Sequence, residues 1–447
     1  MLTTLLEKTA DRTDWLRRLM ACLWLIGLLR IFYHGDWLGH IALVGMLVYL
    51  VLAWPLCGRL NRIVTLVVSA IVVLVCALEQ RWEAIEHGLM FSLIFTAFLP
   101  TLQLMRATLD IGPEFERSRT AFARMPPAQR DDAVVVGANV IGSVMTMGAL
   151  TMLAPLLPPD ADSATRRAMA QAALRGLALA IFWSPFTVAM ALASSFWPSQ
   201  PLWRIMAVGI VLSVLGVALA VLFSGGSLRR LLGALKGFRP LAVPLGGTML
   251  GVVLAASVSP FGTIQTIVLV VPFLCLLWIL RHNRFELQRV VRTTYRNLDR
   301  LGNELLLFCA AVTLGRVLQE SSLLHAALGH PWLTGLPVSV LIAGVMLLGL
   351  GLALLGVHSV VIGTCVMLLV TPFQSSIADL VAIELMFYGW ACASMLSLSA
   401  LSVVLCSSLF EVSAPRLIYG RNIIYMAVLG VLLLLILLPG NAWLLSS

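Results

Sequence analysis

The sequence predicts an all-α integral membrane protein of about eleven transmembrane helices and two re-entrant hairpins, arranged as two inverted-topology repeats. Three observations lead there: too few polar residues for a soluble domain, basic residues that fall on one face only if two apolar segments turn back, and a pattern that recurs about half the chain later. Of 447 residues, 60% are hydrophobic and 11% charged. That balance cannot cover the surface of a water-soluble domain of this size, so the chain is expected to dissolve in a bilayer.

Apolar runs near the ~20 residues needed to cross a bilayer fall at 20–34, 38–56, 63–80, 88–105, 168–196, 203–224, 241–258, 264–281, 303–320, 381–410 and 422–438. Two more, 132–156 and 338–373, break the positive-inside rule if they cross and satisfy it if each enters and returns on its own side. With both read as hairpins, every basic residue except Arg30, Arg81, Arg204 and Arg316 is cytoplasmic, or sits near the cytoplasmic end of a span as Arg175 does. The N-terminus is then cytoplasmic and the C-terminus periplasmic, in a bacterial inner membrane. The first hairpin opens from the cytoplasm and the second from the periplasm. The N-terminal "MLTTLLEKTADRTDWLRRLM" reads as a cytoplasmic helix rather than a cleaved signal.

The recurrence divides the chain into an N-terminal helix with the first span (1–37), a first repeat (38–224, hairpin 132–156) and a second repeat (225–447, hairpin 338–373). Gln103 in "FSLIFTAFLPTLQLM" aligns with Gln319 in "LFCAAVTLGRVLQES", 319 − 103 = 216 residues on. Ser143 and Ser359 align at the same interval, and Pro155 and Pro372, which close the hairpins, at 217. "SPFTVAMALASS" then matches "SALSVVLCSS" and pairs Thr187 with Ser402. The span before the first hairpin runs inward and its partner runs outward, so the repeat is inverted.

This plan, with each hairpin followed by a span interrupted at a Ser/Thr/Pro point, resembles the ion transporter superfamily, whose members include divalent anion/sodium symporters and the large membrane subunit of TRAP carriers. "NELLLFCAAVTLGRVLQESSL" is similar to the segment that introduces the second hairpin there. Dicarboxylate-type members carry Ser-Asn-Thr at each tip; this chain has Gly142-Ser143-Val144 and His358-Ser359-Val360. The resemblance implies an elevator mechanism, a scaffold built from spans near 38–80 and 241–281, and a homodimer.

Hairpin tips and helix breaks release backbone amides and carbonyls into a cavity, where they hold anions and cations. Candidate substrate ligands are Ser143, Thr146, Ser184, Thr187, His358, Ser359, Ser399 and Ser402. Candidate cation ligands are Asn139, Gly142, Thr364 and Ser397. Each hydroxyl has the alternative of bonding back to its own helix, and Asn139 that of a helix-packing bond. His358 either donates to a substrate carboxylate and couples protons or caps a half-helix. Arg175 is expected to snorkel to the interface, Arg316 to pair with Glu320, and Asp379 and Glu384 to be solvated where the tenth span begins.

The expected function is a secondary active transporter moving a small organic anion, such as a carboxylate, by cation-coupled symport with Na+ or H+ and no cofactor. The alternatives are the membrane subunit of a tripartite carrier fed by a periplasmic binding protein, and a permease for a more hydrophobic or inorganic anion. In a different class stands a membrane scaffold or lipid-handling enzyme. Enzyme motifs such as HExxH, a Walker loop or a nucleophile elbow are missing from the sequence, so catalysis is not expected. The net charge of +9 lies in loops and speaks for topology and anionic lipid rather than nucleic acid. Cys57 sits at a span end and the other cysteines inside apolar runs, without metal spacing, so they read as small buried hydrophobes.

Overall fold

The computed structural model describes residues 2–33, 35–112, 114, 117–118, 120, 127–158, 160–227, 233, 239–282 and 284–446. Of the basic residues that set the topology, Arg119, Arg124, Arg229, Arg230 and Lys236 lie outside the described residues, as do the side chains of Lys8, Arg130 and Arg239. Part of the connector 106–131 lies outside them too.

Among the described residues there is no strand. The first half forms α1 (Leu2–Phe32), α2 (Asp36–Ala53), α3 (Arg59–Glu79), α4 (Glu83–Ser92), α5 (Phe95–Asp110), α6 (Pro127–Met145), α7 (Gly148–Leu153), α8 (Ser163–Ala180), α9 (Val188–Phe196) and α10 (Leu202–Phe223). The second forms α11 (Arg239–Val258), α12 (Thr263–His282), α13 (Leu287–Asn297), α14 (Gly302–Gln319), α15 (Ser322–Leu328) and α16 (Pro331–Thr334). It continues with α17 (Val338–Leu354), α18 (Ser359–Val370), α19 (Asp379–Leu396), α20 (Leu401–Phe410), α21 (Ala414–Ile418) and α22 (Arg421–Ser446).

Eight helical stretches among these residues are long and apolar enough to cross a membrane. Exposed rows such as Leu66, Val67, Val73, Leu74 and Leu78 on α3 fit a lipid environment, since water-soluble surfaces rarely carry apolar patches of that extent. Three of the eleven expected spans fall short of that measure, for visible reasons. The segment 20–34 belongs to a helix that begins in charged sequence, α8 carries Arg166, Arg167 and Arg175 among its 18 residues, and of α11 only Val243–Val258 is described throughout. Cys22 is exposed and Cys365 half-buried; the other six cysteines are buried.

The chain divides into two compact units, and neither is a sequence half. One combines Met1–Gly112 with Gly251–Ala326; the other combines Pro113–Leu250 with Ala327–Ser447. In the first, α14 lies against α3 and α4, and Gly88 allows the approach because a Cβ there would come within 2.6 Å of Thr313 Cα. Tyr49 Oη donates to Leu298 O at 2.8 Å, and Arg17 pairs with Asp299 at 3.2 Å. The Glu79 carboxylate accepts from Ser321 Oγ at 2.7 Å and from the Leu323 amide at 2.8 Å. Arg316 lies over the Phe91 ring, 4.1 Å from its centroid, while the Glu320 carboxylate lies 3.5 Å from His87 Nδ1.

The second unit contains both segments expected to form hairpins, 132–156 and 338–373, and both interrupted helices. Helix α6 turns at Thr146 and Met147 into α7, and α17 turns at Leu355 to His358 into α18. Both arms then end in a short 3-10 turn around a proline, Ala154–Leu156 and Thr371–Phe373. Helices α8 and α19 are each 18 residues long and begin 379 − 163 = 216 residues apart. Asp162 caps α8, and hydrogen bonds from the Thr165 side chain and amide hold its carboxyl below the usual range.

The turns differ in chemistry. Gly356 has φ +84°, a left-handed conformation that costs glycine nothing, whereas Thr146 occupies the same region at φ +47° despite its branched side chain. Gly356→Ala is therefore expected to destabilise the protein by about 1 kcal/mol, and Thr146→Gly to stabilise it by a similar amount. Thermal unfolding of the two variants in one detergent checks the opposite signs.

Candidate functional site

The interruptions carry the polar chemistry of the second unit. After α8, Pro185 has no N–H to donate, and the chain crosses Ile181 to Thr187 before α9 begins. Ser184 Oγ accepts the Phe186 amide at 3.1 Å and donates to the Ser143 carbonyl in the last turn of α6. That carbonyl is one of the four that a helix end leaves without an internal partner. Thr187 is the N-cap of α9: its Oγ1 accepts from the Met190 amide at 3.2 Å and donates to Ser184 O at 3.2 Å.

The break after α19 repeats this turn with other residues. Ser397 Oγ accepts the Ser399 amide at 3.2 Å and lies 2.7 Å from Ser399 Oγ. Ser402 Oγ donates to the Ser394 carbonyl, again in the last turn before the break. Ser184 and Ser397 thus hold equivalent positions, 397 − 184 = 213 residues apart, with N-caps Thr187 and Ala400 three residues further on. The expected pairing of Thr187 with Ser402 is two positions out of register, because the second break is three residues shorter.

The hairpin residues also shift. Ser143 is not at a tip: it lies in the last turn of α6, fully buried, with Oγ donating to Val140 O at 2.7 Å. Ser359 opens α18 after the other turn, so the two serines are not equivalent. Gly142 lies where a Cβ would meet Leu177, which makes it a packing position. Thr364 Oγ1 bonds back to Val360 O at 2.9 Å. His358 is the N-cap of α18, its Nδ1 accepting from the Val360 amide at 3.3 Å. That bond leaves the imidazole proton on Nε2, free to donate. Thr146 and Ser359, both half-buried, have hydroxyls with no hydrogen-bond partner among the described residues.

Two charged side chains depart from expectation. Arg175 does not snorkel: it is 2% exposed, with Nε donating to Asn422 Oδ1 at 2.9 Å and the guanidinium 5.0 Å from the Tyr425 ring centroid. Glu384 is not solvated but fully buried, and neither carboxyl oxygen has a hydrogen-bond partner among the described residues. Asp379, at the start of α19, is held by Ser199 Oγ at 3.3 Å and Gln200 Nε2 at 3.2 Å.

A pocket of about 270 Å³ opens between α6, the first break and α10. Its walls are mainly Val136, Val140, Val214 and Val217, and its polar groups come from Asn139, Trp183 and Ser213. Asn139 Nδ2 donates to Ser213 Oγ at 3.0 Å and more weakly to Gly176 O at 3.3 Å, so the helix-packing role of this amide is realised while Oδ1 remains available. The Trp183 indole N–H is buried and has no partner. Of the twelve candidates, the pocket includes only Asn139. Trp183 and Ser213 escape a reading by residue type; the signals for them are the tryptophan beside "SPFT" and a lone hydroxyl within the 22-residue α10. No family model matches this chain, and no curated protein does either.

Ser184→Ala orphans both the Phe186 amide and the Ser143 carbonyl and is expected to cost about 2 kcal/mol, whereas Ser402→Ala frees one carbonyl and costs about 1 kcal/mol. Denaturant titration of both variants in mixed micelles tests that order.

Proposed function

We propose that the chain is a secondary active transporter of elevator type, in which the second unit carries a small organic anion across a bacterial inner membrane by cation-coupled symport. In this reading α6–α7 and α17–α18 are re-entrant hairpins entering from opposite faces, and the chain crosses eleven times with its N-terminus in the cytoplasm. The first unit is the frame and the site of homodimer contact.

The observation that carries the proposal is the pairing of two interrupted helices with two helix-turn-helix segments in one unit drawn from both sequence halves. Their arrangement adds to it. Arg166, near the start of α8, pairs with Glu411 just past α20 at 2.8 Å, while Asp379 at the start of α19 is bound by Gln200 beyond α9. Each interrupted segment thus begins where the other ends, the antiparallel relation that an inverted repeat requires. The unpartnered Trp183 N–H is a donor suited to a carboxylate, and the pocket volume suits a solute of a few heavy atoms. The valine-rich walls favour a second reading, a weakly polar or neutral solute.

Proteoliposome uptake of a panel of mono- and dicarboxylates and their neutral amides, under imposed sodium, proton or voltage gradients, tests the proposal. Carboxylate accumulation that follows a cation gradient is expected; no gradient-dependent movement of any solute, with orientation verified, would sink it. Trp183→Phe is expected to raise KM for the carboxylate about tenfold, the worth of one hydrogen bond to a charged group, with kcat little changed. An unaltered KM removes Trp183 from the site, and preference for the amides selects the second reading.

A further inference from the structure

Glu384 has no structural role that its surroundings reveal. It sits in the second turn of α19, 0% exposed, flanked by Ile383 and Leu385, with both oxygens unpartnered. A buried carboxylate with neither a counter-ion nor hydrogen bonds is among the costliest groups a protein can hold, so its charge has to be neutralised. The charged and titratable groups on neighbouring elements do not do this. Arg166 pairs with Glu411, Arg167 donates to Tyr419 O, Arg175 to Asn422 and Arg421 to Phe223 O. Tyr425 donates to Gly216 O, Tyr388 on α19 itself to Met426 O, and the thiol of Cys406 to Ala170 O. Arg204 lies over Trp203, Arg416 is exposed, and neither Cys365 nor His358 bonds to Glu384. Asp379, the other acid on α19, is occupied by Ser199 and Gln200.

We infer that Glu384 is a proton-carrying site whose carboxyl takes up and releases the coupling H+ during transport. The inference rests on the transporter reading and names its coupling ion. A sodium ion would need several oxygen ligands around it, whereas a proton needs only the carboxyl itself, and this carboxyl has no hydrogen-bond partner among the described residues. The chemistry is one O–H bond: the acid loses H+ to water when the unit exposes it to one side and regains H+ from the other. Glu384 lies 384 − 379 = 5 residues along α19, about 7 Å from the helix start at 1.5 Å per residue. A small rearrangement at that end would therefore admit water.

The test uses purified full-length protein. Infrared difference spectra recorded across a pH titration are expected to show a carboxylic-acid C=O band that disappears as pH rises and is missing in Glu384→Gln, whose amide mimics the neutral acid. In proteoliposomes loaded with a pH-sensitive dye, carboxylate uptake by the wild type is expected to bring protons inward. Glu384→Gln should lose that proton movement and at least tenfold of gradient-driven accumulation while retaining carboxylate exchange. A folded Glu384→Gln variant with undiminished proton movement overturns the inference, as does an acid band that never titrates. Should the amide variant fail to fold, Glu384→Asp serves instead, and an unshifted band and pH profile count against the role. Absence of any uptake by the wild type defeats the transporter reading, and the infrared titration then judges Glu384 separately.

Discussion

The second unit is organised around a single constraint: helices that stop in apolar surroundings leave backbone carbonyls and amides that must find partners without water. Four helix termini meet the problem, the C-terminal ends of α6 and α19 and the N-terminal ends of α9 and α18, and the protein answers it with serine, threonine and histidine. Ser184 supplies the Ser143 carbonyl, Ser402 the Ser394 carbonyl, and Thr187 and His358 supply N-terminal amides. These bonds decide which polar groups remain for a ligand. Hydroxyls whose proton is committed to a backbone carbonyl cannot also donate to an anionic solute without releasing a buried group, at a cost of about 1–3 kcal/mol each, although their oxygens can still accept. Among the described residues of this unit, those that remain include Trp183 Nε1, Asn139 Oδ1, His358 Nε2, Gln171 Nε2, Ser194 Oγ, the Glu384 carboxyl and the hydroxyls of Thr146 and Ser359.

The same constraint explains why the two interrupted segments lie antiparallel. A break is tolerated where protein rather than lipid surrounds it, and an antiparallel partner brings two breaks under shared cover. The ends are then tied by polar contacts, Arg166 to Glu411 at one and Asp379 to Ser199 and Gln200 at the other. Between them, the Arg175, Asn422 and Tyr425 cluster fastens α8, α10 and α22, with Tyr425 Oη on Gly216 O.

Much of this was legible in the sequence because helix interruption has a local cause. Pro185 and the serine and threonine around it mark the first break, and Pro155 and Pro372 mark the 3-10 turns that follow α7 and α18, so both breaks and both helix-turn-helix segments fall within the stretches where the pattern puts them. Register was less legible. Ser143 and Ser359 align by count, but the first turn forms at Thr146 through a left-handed residue that no glycine announces. The second break is three residues shorter, which shifts Ser402 away from Thr187. The pocket was least legible, since Asn139, Trp183 and Ser213 come from three elements and meet only through tertiary packing.

Arg175 and Glu384 show where position in the chain misleads most. Glu384 lies near the start of α19, and Arg175 near the start of the apolar run 168–196 though well inside α8; at such places long polar side chains escape to the interface when lipid surrounds them. Here neighbouring helices block that escape, and no periodicity along a single helix reports it. The two charges are nevertheless treated oppositely. The guanidinium is met by an amide oxygen and the faces of Tyr425 and Phe223, a compensated arrangement that serves packing. The carboxyl has no hydrogen-bond partner among the described residues, and that uncompensated cost is what the proposal of a proton-carrying Glu384 rests on.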